Sequence, residues 1–192
     1  ECADYMETSA LGRAEWMKFY GMLVGRENEA DSLFAVVKRN YADYKDRAMK
    51  SALRPRVITE RVVGGVWYCP GGESSMGQLL RDAGVDNVFA DDKHSGSLTL
   101  SPEKVIEKAA TADWWLFVNS GAGNLDRNGL LTEYEGYKMI KAYREGHVLE
   151  CVPSISNPYF EQISFRPDFL LADFISWFHP ELHISPSAHY YK

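Results

Sequence analysis

The alternation of strand-like and helix-like segments from residue 56 onward is the feature that most constrains the fold of this chain. Runs rich in β-branched and aromatic residues, such as RVITERVV (56–63), WWLFVN (114–119) and HVLECV (147–152), alternate with segments whose apolar residues recur at helical spacing. Continuous apolar runs such as WWLFVN are typical of strands buried inside a parallel sheet. The pattern predicts an α/β domain with a mostly parallel sheet and helices on both of its faces.

A long helix is predicted before this alternation, from Glu27 to Lys50. Its apolar residues recur at helical spacing, and they are Ala30, Leu33, Phe34, Val37, Tyr41 and Tyr44. About 24 residues of helix would measure roughly 36 Å, which is long for a domain of this size and could connect two bodies. Because Pro55 ends the helical stretch, we divide the chain into a helical segment, 1–53, and an α/β domain, 54–192.

Composition argues against several classes of protein. The 192 residues carry a net charge of −6, whereas a nucleic-acid-binding surface would be basic. No run approaches the roughly 18 apolar residues that a membrane span needs. The cysteines (Cys2, Cys69 and Cys151) are too widely spaced for a zinc cluster or a redox dithiol, although one disulfide is arithmetically possible. The histidines are scattered, with no helical i, i+4 pair, so we expect no metal centre and no resident cofactor.

The first residues indicate whether the chain has been processed or cut from a longer protein. The chain opens at Glu1 rather than at Met, which we interpret as a processing product or a cut through a longer protein. An export signal would then already be gone. Cys2 has no apolar leader before it, so we do not interpret it as a lipid-anchored cysteine.

The stretch GGVWYCPGG (64–72) is the best candidate for a binding rim. Glycines permit unusual backbone geometry, and loops at the carboxyl ends of strands in α/β sheets are where ligands usually bind. We expect the two large aromatic side chains of this stretch, Trp67 and Tyr68, to be exposed there. The alternative is a bulged strand and a tight turn whose aromatic residues belong to the core.

The neighbouring GESSMG (72–77) suggests a serine hydrolase. That motif requires a glycine where Met76 stands, so the spacing argues against it. An enzyme that uses Ser74 or Ser75 remains an alternative, and a receptor for free metal ions is another.

Two further residues have alternative interpretations. Glu103 follows Ser101 and Pro102 at a predicted helix start, where an acid favours the helix dipole. Tyr159 follows Pro158 in an irregular segment. If Tyr159 were in the core its hydroxyl group would need a partner, so the wall of a pocket is a fair alternative.

Several motifs in this order resemble one family. They are ETSALGRAEWMKFYGMLVG (7–25), the long helix, VWYCPGGESSMGQLLRDAGVDNVF (66–89), LSPEKVIEKAATADWWLFV (100–118), GHVLECV (146–152) and RPDFLLADFISWFHPEL (166–182). Together they cover essentially the whole chain and are similar to the second half of the iron-complex or corrinoid substrate-binding proteins of ABC importers. The resemblance implies a three-layer, Rossmann-like lobe preceded by a long interlobe helix, with the N-terminal lobe absent.

The resemblance also implies a ligand site. In such receptors the loop containing Trp67, Tyr68 and Cys69 faces the cleft between the lobes, as do the loop near Ser97 and the segment from Asn157 to Tyr159. Some relatives have an aromatic residue near the position of Ser97 and an acid near that of Asn157, which this chain lacks. The implied ligand is a ferric siderophore, haem or a corrinoid.

The resemblance implies partners and a location as well. Glu103 matches the glutamate that pairs with arginines of the membrane permease. The protein would be a binding protein rather than an enzyme, in the periplasm or at the cell surface as a lipoprotein, with no nucleic-acid partner. A lone lobe exposes its interlobe face and could form a homodimer.

Overall fold

The computed structural model of this protein describes residues 4–121 and 123–192. Its strands are β1 (Arg56–Thr59), β2 (Val62–Val63), β3 (Val66–Pro70), β4 (Asp86–Asn87), β5 (Ser97–Leu100), β6 (Trp114–Val118) and β7 (Val148–Cys151). Its α-helices are α1 (Ala10–Leu23), α2 (Glu27–Lys50), α3 (Ser75–Asp82), α4 (Pro102–Ala109), α5 (Arg127–Glu133), α6 (Lys141–Glu145), α7 (Tyr159–Gln162) and α8 (Pro167–Phe178). Within these described residues, no helix combines the length and the apolar character that crossing a membrane requires.

Four strands form a parallel sheet in the spatial order β4, β1, β6, β7. Successive side chains of a strand point to opposite faces, so Val57 and Leu116 pack into one core cluster while Ile58 and Trp115 pack into the other. Helices α2, α3 and α8 cover the first face, and α4 and α6 help to cover the second. The predicted α/β architecture with a mostly parallel sheet and helices on both faces is confirmed.

A second sheet was not predicted. It is antiparallel, with the order β2, β3, β5. Gly64 and Gly65 connect β2 to β3 with φ values of 59° and 80°, the left-handed geometry that a two-residue hairpin turn requires. The run 56–63 is therefore two strands, and 64–72 is a hairpin turn followed by a strand rather than a loop at the end of a parallel strand.

Two short strands lie where the sequence pattern is weak. The run NVFA (87–90) contributes only Asn87 to a strand, because β4 ends there. The polar segment 91–100 ends in a strand, since its last four residues form β5. The strand β5 is easy to miss because only Leu98 of its side chains is buried in the core, and a short polar run gives a weak strand signal.

The long helix is confirmed with the predicted bounds, Glu27–Lys50. Its buried residues extend from Ala30 to Ala48, against α1 in its first half and the main core in its second. The Tyr41 hydroxyl donates a hydrogen bond of 2.9 Å to the Asp82 carboxylate at the end of α3. Helix α2 thus packs on α1 in its first half and on the α/β domain in its second half. Two predictions about this helix remain predictions. One is that it connects to a second body, and the other is that a domain boundary lies between residues 53 and 54.

The hairpin turn provides a test of the backbone argument. We expect Gly65→Ala to lower the free energy of unfolding by about 1 kcal/mol, because a side chain is strained at positive φ. Gly96→Ala is the matched control: an added Cβ meets no atom within 4 Å at either glycine, and only Gly65 has positive φ. Equal losses of unfolding free energy for the two variants in urea denaturation would contradict the left-handed geometry at Gly65.

Candidate functional site

The strand order creates a topological switch point between β1 and β6. From β1 the chain reaches β4 on one side and later returns to β6 on the other side of β1. In α/β sheets, ligands bind in the crevice at the carboxyl ends of the strands where the order reverses in this way. The candidate site is therefore the edge formed by residues 59–61, where β1 ends, and by Asn119 after β6.

Two indole groups hold the end of β1 at this edge. Trp67 Nε1 donates to the Thr59 carbonyl at 2.9 Å, and Trp115 Nε1 donates to the Glu60 carbonyl at 2.7 Å. Between these anchored carbonyls Glu60 has a φ of 62°, a geometry uncommon for a residue other than glycine. The chain therefore leaves the parallel sheet at a defined angle, and this angle brings the antiparallel sheet next to the carboxyl end of β1.

The carboxyl group of Glu60 is largely buried at this edge. Burial raises its pKa to about 7, although a hydrogen bond from the Val118 backbone and the charge of Arg61 act in the opposite direction. The site thus contains an acid that changes its charge near neutral pH. This residue was not predicted from the sequence. Its signal was the charged pair Glu60-Arg61, which interrupts the apolar run 56–63.

A polar network connects the ends of three parallel strands. Arg61 donates to Glu133 at 2.5 Å and, more weakly, to the Asn119 side-chain oxygen at 3.4 Å. The Asn119 amide in turn donates to Glu150 of β7 at 2.6 Å, and Glu150 also accepts from the backbone of Leu125 at 2.9 Å. These bonds order the loop that follows β6 above the edge of the sheet.

Two buried polar atoms at the same edge have no hydrogen-bond partner among the described residues. They are Thr59 Oγ1 and Arg61 Nε. Buried polar atoms are nearly always satisfied by protein, water or ligand. Both atoms are closed to solvent in this structure, so they belong to the interior of the edge rather than to the surface that a ligand would meet.

Tyr68 and Ser97 lie on the outer face of the antiparallel sheet. The register pairs Tyr68 with Thr99 and Pro70 with Ser97, so these side chains share one face. Tyr68 is 45% exposed. Ser97 is also exposed and lines a cavity of about 550 Å³ beside α4. The structure thus brings together two of the residues predicted for the site.

The expectation that Trp67 is exposed is wrong. Trp67 lies on the inner face of β3 and is completely buried, with its ring 5.5 Å from that of Tyr137. Tyr159 is buried as well, and its hydroxyl lies 3.4 Å from the Tyr191 hydroxyl, which is the partner that a core position requires. Because neither side chain reaches the surface, both can support a site from beneath without touching a ligand.

Asn157 follows β7 and is partly buried. Its amide nitrogen donates to the carbonyls of Val152 at 3.1 Å and Tyr190 at 3.0 Å. Asn157 also lines a small cavity of about 170 Å³ together with Glu150 and Lys192. The amide nitrogen thus holds the segment in place, at the edge of the sheet that carries Glu150.

Glu103 is exposed in the first turn of α4. Its carboxylate accepts a hydrogen bond from the Tyr134 hydroxyl at 3.4 Å. Ser101 caps the same helix. The geometry fits the predicted dipole interaction and leaves the carboxylate open to solvent.

Ser74 has a structural role in this fold. Its buried hydroxyl donates to the Gly71 carbonyl at 2.7 Å and accepts from the Gly77 amide at 3.0 Å, and so caps α3. Both hydrogen bonds are to the backbone, so Ser74 lacks the contact to a general base that a nucleophile needs.

The described residues contain no group of three or more His, Cys, Asp or Glu side chains that could hold a metal ion. Cys69 and Cys151 are buried and unpaired, and burial raises the pKa of both thiols. Cys2 lies outside the described residues. The groups described at this edge are aromatic, hydroxyl, amide and charged side chains.

Three comparisons place this geometry among known proteins. Residues 1–154 match the model of a family described as periplasmic binding protein. An uncharacterized lipoprotein from Methanocaldococcus jannaschii is 26% identical, over 98% of this chain and 44% of the relative. This chain thus spans about half the length of that curated relative.

Two solved structures share the fold. A periplasmic haem-binding protein from Roseiflexus aligns with a TM-score of 0.73 and 21% identity, over 91% of this chain and 65% of that one. An ABC-type Fe3+-hydroxamate transport system from Saccharomonospora viridis aligns with a TM-score of 0.69 and 21% identity, over 90% of this chain and 57% of that one.

The buried carboxyl group of Glu60 should make the free energy of unfolding depend on pH. Glu60 has a pKa near 7 in the folded state against an ordinary value of 4.5. Between these values the unfolded chain releases a proton that the folded state retains, so the free energy of unfolding falls as pH rises through this window. We expect Glu60→Gln to reduce this fall by about 2 kcal/mol in urea denaturation. Identical pH profiles for the two proteins would show that Glu60 is not buried as described.

Proposed function

Because the chain belongs to the periplasmic binding protein family, we propose that it is part of the substrate-binding component of an ABC importer. Its ligand, in this proposal, is a chelated iron complex (a ferric siderophore or haem) or a corrinoid. The observation that carries the proposal is the exposed Tyr68 on β3, the strand whose Trp67 is bonded to Thr59 at the switch point of the parallel sheet. Proteins with this fold include ones named for haem binding and for Fe3+-hydroxamate transport, which supports the ligand class.

The side chains at the edge suit such ligands chemically. The ring of Tyr68 offers a flat surface for an aromatic or macrocyclic group, and hydroxyl and amide groups at Ser97 and Asn157 can fix the orientation. Arg61 is paired with Glu133, so it orders this edge rather than adding free positive charge. Trp67 and Tyr159 contribute from beneath, by fixing the backbone on which these groups stand.

We further propose that the chain is the C-terminal lobe of a two-lobed receptor, with helix α2 near the junction between the lobes. The family and the lipoprotein relative support a location in the periplasm or at the cell surface. Glu103, exposed on α4, is the proposed contact to the membrane permease. A charge at an exposed rim contributes mainly orientation and association rate.

Ligand binding can be tested with a panel of haem, a ferric hydroxamate siderophore and cobalamin. We expect at least one to bind with micromolar or better affinity in calorimetry, and Tyr68→Ala to weaken that binding about tenfold. Phe19→Ala, an exposed aromatic residue on α1, is the control and should leave the affinity unchanged. Failure of the whole panel to bind would count against the ligand class. Equal losses of affinity in the two variants would count against a site at Tyr68.

Permease docking is tested separately. We expect Glu103→Ala to lower ligand uptake severalfold in a reconstituted importer while ligand affinity stays the same. Glu107→Ala, an exposed acid one turn further along α4, serves as the matched control. A loss of affinity equal to the loss of uptake would mean that Glu103 contacts the ligand and not the permease.

A further inference from the structure

Residues 189–192 form a short strap that lies beside β7. Lys192 exchanges two backbone hydrogen bonds with Glu150, of 2.9 Å and 3.0 Å, as two residues of an antiparallel pair do. Because β7 is the last strand in the order of the parallel sheet, the strap pairs backbone groups on a sheet edge that would otherwise be open. The side chains of Tyr190 and Tyr191 are both buried in the core. The strap is therefore part of the packed domain.

One buried carboxylate of α8 holds the strap in place. A single oxygen of Asp173, Oδ2, accepts the backbone N–H groups of Tyr190 at 2.9 Å and Tyr191 at 3.1 Å. Asp173 is completely buried, and its other oxygen lies 3.4 Å from Nδ1 of the exposed His189. Burial raises the pKa of Asp173 to about 6, although the two backbone donors and His189 lower it. Because a buried carboxylate is costly unless it is hydrogen-bonded, Asp173 and the strap stabilise each other.

The strap in turn holds Asn157, one of the residues predicted for the ligand site. The Tyr190 carbonyl accepts from the Asn157 amide nitrogen at 3.0 Å, and the Val152 carbonyl accepts from the same nitrogen at 3.1 Å. Only the NH2 end of a side-chain amide can donate to two carbonyl groups. The Asn157 side chain is therefore fixed with its nitrogen toward the strap, and its oxygen is the end that remains for other partners.

We propose that Asp173 is a positioning residue of the ligand site, which acts through the strap to hold Asn157 in one orientation. The contacts are continuous from the Asp173 carboxylate to the backbone of Tyr190 and on to the Asn157 amide. Asn157 then presents an acceptor, so the ligand group that it meets is a hydrogen-bond donor, such as a hydroxyl or N–H group. The ligand part of this inference rests on the function proposed above, whereas the ordering of Asn157 by Asp173 does not.

Hydrogen exchange of backbone amides tests the ordering without any ligand. We expect Asp173→Ala to speed exchange about tenfold in the strap and in residues 148–157, because two buried N–H groups lose their acceptor. Asp168→Ala is the matched control, since Asp168 is also completely buried on α8 but pairs with Arg166 and not with the strap. Asp173→Asn keeps an oxygen acceptor and should restore most of the protection. Equal exchange in the two alanine variants would overturn the proposal.

Asn157→Asp tests the same contacts from their other end, and it carries the test if Asp173→Ala does not fold. The substitution sets a carboxylate against the carbonyls of Val152 and Tyr190, so exchange in the strap should again rise about tenfold. Asn128→Asp, at an exposed asparagine of α5, is the control and should leave the strap unchanged. The same exchange rate in both aspartate variants would contradict the proposed contacts.

Calorimetry with haem, a ferric hydroxamate siderophore and cobalamin separates this inference from the proposed function. We expect Asp173→Ala to weaken the binding of the tightest of the three severalfold, and Asp168→Ala to leave it unchanged. If Asp173→Ala speeds exchange around Asn157 but leaves the affinity unchanged, the positioning role is overturned. If none of the three binds the unmodified protein, the proposed function fails together with the ligand part of the inference, and hydrogen exchange alone decides whether Asp173 orders Asn157.

Discussion

Two hydrogen bonds from buried indoles fix the place where the two sheets of this protein meet. Trp67 of β3 and Trp115 of β6 donate to consecutive backbone carbonyls, those of Thr59 and Glu60, where β1 ends. A buried carbonyl without a partner would cost the full desolvation penalty, about 1–3 kcal/mol. These bonds therefore satisfy the chain as it leaves the parallel sheet, and they hold the antiparallel sheet over the second face. The rings also fill the core between the layers.

The chemistry of the candidate site follows from this junction. Because Glu60 is held with positive φ between the two anchored carbonyls, its carboxyl is kept among buried groups and its pKa rises to about 7. Arg61, the next residue, faces the loop after β6 and joins Asn119 and Glu133. Tyr68 emerges on the opposite face of the strand that contains Trp67. One junction thus sets an acid and a cation at the switch point and turns an exposed aromatic ring to the outer face of β3.

Much of the architecture was accessible from sequence, because long amphipathic helices and continuous apolar strands give strong signals. The bounds of α2 and the strand β6 are examples. The antiparallel sheet was missed because β2 and β5 are short and β5 is polar on one face. The sequence does not show which of Trp67 and Tyr68 is buried. Alternation places their side chains on opposite faces of the strand, but it does not show which face is covered. The raised pKa of Glu60 depends on burial by residues distant in the sequence, which no local sequence pattern encodes.

Hydrogen exchange of backbone amides, with and without the ligand that binds most tightly, tests the central claim most directly. If ligand occupies the carboxyl edge of the parallel sheet, exchange should slow at residues 59–61, 66–70, 97–99 and 119–121 and around Asn157, while α1 stays unchanged. Protection confined to α1 and α2, with none at these residues, would contradict the account.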